Sequence, residues 1–132
     1  MDVQASLKNK DFWIFDLDNT LYPSSNGLMS DVSDRMTKFV SMVTDTSTEE
    51  ALIEQKELFK NHGTTLRGLM IKYSIDPWDF LRFVHNVDYD LVKRNHKLGN
   101  AIKALKGTKI IYTNASSGHA KKVLERLGFL EQ

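Results

Sequence analysis

Two aspartates one residue apart, Asp16 and Asp18, close the apolar run Phe12–Phe15 in "FWIFDLDNTLY". Carboxylates held that close repel one another unless a cation sits between them. Hard oxygen ligands of this kind suit Mg²⁺, which takes one or two carboxylates together with a phosphate and waters. One carboxylate can attack phosphorus and form an aspartyl-phosphate. The other, two residues on, can protonate the leaving oxygen and later activate water. Far along the chain, Thr113 and Asn114 in "IIYTNASS" close a second short apolar run. A hydroxyl there, with the amides that open a helix near Ser117, makes a place for an anion. Taken alone, Asp-x-Asp is a common turn or capping pattern, and Thr-Asn a common turn. Position lifts both, because ligands of open parallel sheets lie outside the carboxyl ends of the strands.

Those residues need elements to carry them. Phe12–Phe15 reads as a strand buried on both faces. The cluster from Pro23 to Gly27 reads as a linker. Met29, Val32, Met36, Phe39, Val40 and Val43 recur at helical spacing, with Ser30 as a cap. Ser47 with Glu50 is a capping box for a second helix that ends near Gly63. Leu66 to Tyr73 forms a third helix, and Asp76 followed by Pro77 opens a fourth. Leu98 to Leu105 forms a fifth, closed by Gly107. Lys109–Tyr112 is the second strand, and Ser117–Leu127 a last helix stopped by Gly128. A simple βαβ unit carries one crossover helix, whereas roughly seventy residues intervene here. The expectation is therefore α/β: a parallel-sheet core over 1–22 and 95–132, with a helical cap inserted over 23–94. Trp78, Phe80, Leu81 and Phe83 are expected in the core of that cap.

Composition narrows the function classes. Of 132 residues, 41% are hydrophobic and 27% charged, with a net charge of +1. That balance argues against a dedicated nucleic-acid binder, which gathers a basic excess on one face. The absence of cysteine excludes disulfides and thiolate metal sites and fits a reducing compartment. No apolar run approaches a membrane span, and "MDVQASLKNKDF" has no signal-like apolar stretch. The expected location is cytoplasmic, with no membrane partner.

"FDLDNTLY" followed by "IIYTNAS" resembles motifs I and II of the haloacid dehalogenase-like (HAD) hydrolases. The match is closer to the pyrimidine 5′-nucleotidase-like branch, with "HGTTLRGL" at the cap position and "SSGHAKKVLERLGF" similar to the helix after motif II. His62 stands where that branch has tyrosine. The resemblance runs from Phe12 to Phe129. It implies a partial Rossmann-like HAD core with an inserted helical cap. It also implies Asp16 as nucleophile and Asp18 as general acid/base, with Mg²⁺ held by Asp16 and Asp18, the latter through its backbone carbonyl. Phosphate binding would fall to Leu17, Thr113 and Asn114. The implied substrate is small, phosphorylated and nucleotide-like. In the cap, Arg67 and His85 are candidate substrate residues, set against the plainer reading of solvent-facing or locally satisfied side chains.

The family also uses a lysine and a later acidic pair. Lys121 and Lys122 come too early for that lysine and read as solvated helix charges. Glu131 is the one acid near the end. The expectation is a truncated chain with little activity alone, completed by a C-terminal segment or by self-association. A catalytically silent phosphate-binding or interaction module is the alternative.

Overall fold

The computed structural model describes residues 6–130. Glu131 lies outside them. Strand β1 (Phe12–Phe15) is followed by a 3₁₀ turn (Ser24–Asn26) and helices α1 (Leu28–Thr44), α2 (Thr48–His62), α3 (Thr65–Tyr73) and α4 (Pro77–Val84). A second 3₁₀ turn (Tyr89–Leu91) leads to α5 (His96–Ala104), strand β2 (Thr108–Ile111) and α6 (Ser117–Leu127). The fold is mixed α/β and mostly helical, with one small parallel sheet. No helix of the described residues is long and apolar enough to cross a membrane. The chain divides into two compact units: the residues up to Asn26 with those from Tyr89 on, and Gly27–Asp88.

In the first unit β1 and β2 pair in parallel, Ile14 opposite Ile110 and Phe15 opposite Ile111. The amide of Tyr112 continues the ladder by donating to the Phe15 carbonyl at 2.9 Å. Trp13 fastens the start of the strand: its indole Nε1–H donates to the Lys106 carbonyl at 2.7 Å. The expectation that β1 is buried on both faces is not met. Side chains alternate across a strand, and Phe12 and Ile14 on one face are 65% and 69% exposed. Ile110 beside them is also exposed. The described residues lay no second layer over that side, so the apolar run is covered on one face only.

The second unit is helical and has its own core. Val32, Phe39, Val40, Ala51, Leu58, Leu69, Phe80 and Val84 are buried together. The Phe39 and Phe80 rings meet edge to face at 5.2 Å, a favoured quadrupole geometry. Full burial of each large side chain contributes roughly 1.5–3 kcal/mol. Arg35 packs its guanidinium over Phe83 and donates from Nε to the Phe83 carbonyl at 2.6 Å. Trp78, expected in this core, is 61% exposed. Phe80 and Val84 define the inward face of α4, and at about 100° per residue position 78 turns away from it.

Caps explain most helix ends. Ser47 and Glu50 form the expected reciprocal capping box at α2, and Asp76 caps α4 through the Trp78 amide. Ser30 does not cap α1: the helix starts earlier, at Gly27, whose carbonyl already accepts from the Asp31 amide. Two glycines mark close approaches. A Cβ on Gly68 would lie 2.8 Å from the Leu58 side chain, where α3 packs on α2. Gly107 has φ +98°, and a Cβ there would meet the Lys10 carbonyl oxygen at 2.6 Å.

These contacts set a testable contrast. Gly68→Ala improves helix propensity by about 1 kcal/mol but overpacks against Leu58 at a cost of about 1–3 kcal/mol. Gly118, in the first turn of α6, has open space where the Cβ would go. Urea denaturation should show a lowered midpoint for Gly68→Ala and a raised one for Gly118→Ala.

Candidate functional site

The turn after β1 is built by its own backbone. Amides of Thr20 and Leu21 both donate to the Leu17 carbonyl, and Asn19 takes the left-handed conformation at φ 58° that Asn tolerates. The Leu17 side chain is fully buried and anchors the turn. With that carbonyl engaged in the turn, any phosphate contact of Leu17 falls to its N–H.

The two aspartates flanking Leu17 have different surroundings. Asp16 is exposed, and its Oδ2 accepts from the Thr20 hydroxyl at 2.7 Å. The Asp18 side chain is only 14% exposed. Its Oδ1 accepts from the Tyr22 hydroxyl at 2.5 Å and lies 2.8 Å from His119 Nε2. On the far side of the imidazole, Nδ1 lies 2.9 Å from the Tyr89 hydroxyl. An ionised carboxylate only accepts, so His119 donates from Nε2–H. At Nδ1 the direction of the bond with Tyr89 follows the tautomer of the ring. The result is a chain Tyr89–His119–Asp18 with Tyr22 joining at the same carboxylate oxygen.

Elements explain why His119 stands there. Ser116 caps α6 and accepts from the His119 amide at 3.2 Å. His119, Val123 and Leu127 then recur on the buried face of that helix. Its side chain is 0% exposed. Lys122, one turn side of the same helix, sets its ammonium 5.1 Å from the Tyr89 ring centre. The sequence reading missed His119, Tyr22, Tyr89 and Thr20. A histidine in line with Val123 and Leu127 on an otherwise apolar helix face was the available signal.

The other expected residues fall in two places. Thr113, partly buried, accepts from the Ala115 amide at 3.1 Å through its hydroxyl, forming the turn that leads into α6. Asn114 is exposed beside it. An open cavity of about 430 Å³ runs between the end of β2 and α6, lined by Ile111, Thr113, Ser117, Ala120, Lys121 and Leu124 among others. It includes Thr113 but neither aspartate. Arg67 and His85 belong to the helical unit. Arg67 is exposed in the first turn of α3, and His85 caps the end of α4, its amide donating to Leu81.

Among the described residues, no three His, Cys, Asp or Glu side chains gather where they could hold a metal ion. Mg²⁺ does not need such a cage, since it keeps several waters and takes one or two carboxylates with substrate phosphate. The exposed Asp16 carboxylate fits that role. The Asp18 carboxylate, already bonded by Tyr22 and His119, leaves its backbone carbonyl as the fitting ligand.

Burial, with the Asp18 charge second, pushes the Tyr89 phenol up from its usual value near 10 to about 12. Tyr22 is pushed up still further, by burial first and then by its hydrogen bond to Asp18. A phenol whose pKa is higher folded than unfolded stabilises fully below pH 10, and that contribution is lost as pH rises through the folded value. Stability from denaturant curves should therefore fall between about pH 10 and 12, and Tyr89→Phe should make the fall shallower.

No protein-family model matches the chain, so the work of these side chains is read from their own chemistry.

Proposed function

We propose that this chain carries the reacting carboxylates of a Mg²⁺-dependent phosphomonoesterase of the HAD-like kind, acting on a small nucleotide-like phosphate ester. The observation that supports the reading best is the contrast between two aspartates one residue apart. Asp16 is exposed at the carboxyl end of a parallel strand, whereas Asp18 is sheltered and held by two donors on one oxygen.

That contrast suits two roles. An Asp16 oxygen attacks phosphorus as the P–O bond to the alcohol breaks, giving an aspartyl-phosphate. The departing oxygen takes a proton from Asp18. The carboxyl that delivers it is held at Oδ1, which accepts from the Tyr22 hydroxyl and lies 2.8 Å from His119 Nε2. In the second half, Asp18 takes a proton from water as water attacks phosphorus, which releases phosphate and restores Asp16. The Thr20 hydroxyl, bonded to Asp16 Oδ2, leaves Oδ1 as the attacking oxygen. Mg²⁺, held by Asp16 and the Asp18 carbonyl, would neutralise charge on the phosphoryl oxygens. The amides ahead of α6, with Thr113 and Asn114, are the anion-binding groups of the same unit. A small, nucleotide-like substrate belongs to the same proposal.

Phosphate release from nucleoside 5′-monophosphates should require Mg²⁺. Asp16→Asn should lower it by 10³-fold or more, since losing a nucleophile costs about that much or more. Asp18→Asn should cost on the order of 10²–10⁴-fold. Release that ignores both the metal and Asp16→Asn sinks the assignment.

A further inference from the structure

Resting on the phosphatase reading, we infer that His119 is a positioning residue that aims the Asp18 carboxyl, with its own ring set by Tyr89. A carboxyl group turns easily about its last bond, and a general acid is useful only while its proton points at the leaving oxygen. Two donors on Asp18 Oδ1, the Tyr22 hydroxyl at 2.5 Å and His119 Nε2 at 2.8 Å, define the direction of the group.

The two donors do different work. Tyr22 lies four residues from Asp18 in the same turn and moves with it. His119 lies 101 residues away, in the first turn of α6. The loop just before that turn carries Thr113 and Asn114, the expected phosphate-binding residues. His119 therefore registers the proton donor against the segment that would hold the phosphate. Tyr22 cannot do that.

The ring must present N–H, not a lone pair, at Nε2. A neutral imidazole has one N–H, and the partner at the other nitrogen decides where it lies. Tyr89 supplies that partner 2.9 Å from Nδ1, with its ring tilted against the imidazole at 5.5 Å between centres. Its hydroxyl donates to Nδ1 and keeps the proton on Nε2. The His119 side chain is fully buried, and the Ser116 cap holds the backbone amide that carries it. The unit thus aims its acid through a tyrosine–histidine pair.

The test separates aiming from mere support. A poor leaving group needs the proton, and a good one does not. His119→Ala should lower kcat by about 10–100-fold on a nucleoside 5′-monophosphate, but only a few-fold on p-nitrophenyl phosphate, with KM nearly constant for both. His119→Gln, which can set an amide N–H near the Nε2 position, should recover most of the loss, and Tyr89→Phe should show a several-fold loss with the same leaving-group pattern. Equal losses on both esters, or a Gln variant no better than Ala, overturn the inference. Should His119→Ala not fold, Tyr89→Phe and ¹⁵N spectra of the wild-type ring decide. The Nε2–H tautomer, weakened in Tyr89→Phe, is the expected result. A Nδ1–H ring in an active wild type sinks the role of His119 alone. A wild type whose ring holds the Nε2–H tautomer but whose hydrolysis ignores both Mg²⁺ and Asp16→Asn sinks the phosphatase reading, and the role of His119 falls with it.

Discussion

The hydrogen bond between Asp18 and His119 is the constraint from which much of the sheet-bearing unit follows. A sheltered carboxylate costs several kcal/mol unless donors replace the water it has lost. Here the donors come from three stretches of chain: the turn after β1, the first turn of α6 and, one step removed, the 3₁₀ turn at Tyr89. Each stretch has to be in place for the others to be satisfied. The Ser116 cap, the left-handed Asn19 and the tight turn on the Leu17 carbonyl are local devices that bring those donors together. Removing one member takes a partner from a sheltered polar group, and the desolvation already incurred there adds to the lost bond itself.

The sheet contributes reach more than mass. Two four-residue strands place the Asp16 turn and the Thr113 turn side by side, because parallel strands end on the same edge. Four residues per strand are enough for that, although they leave Phe12, Ile14 and Ile110 in water. The helical unit, by contrast, draws its cohesion from packed aromatic and aliphatic side chains. Phe39 touches both Phe80 and Phe83, and Gly68 lets α3 come close to Leu58.

Much of this was legible from residue types. Ser47 with Glu50, Asp76 with Pro77 and the final Gly128 mark helix ends through chemistry that acts within a few residues, and the structure has them as read. Local chemistry misled where a competing turn was present: Ser30 looks like a cap, but the backbone at Gly27 starts α1 first. Crowding misled at Trp78, where an aromatic-rich string suggested burial and helix geometry decided otherwise. Burial of β1 was overread because an apolar run says nothing of how many layers will cover it. The Tyr89–His119–Asp18 chain was the least legible part, since a contact across 101 residues has no signature in spacing.

The two tryptophans of the chain fall one to each unit. Trp13 is partly buried in the strand and bonded through its indole to Lys106, while Trp78 already faces water. Their emission therefore carries unequal information. Loss of the sheet moves Trp13 from a bonded, half-sheltered site into solvent and reddens its fluorescence. Melting of the helical unit changes the surroundings of Trp78 far less. Intrinsic fluorescence thus follows the strand unit selectively, and far-ultraviolet circular dichroism weighs the helices. Where the two signals part company on heating, the units come apart at different temperatures.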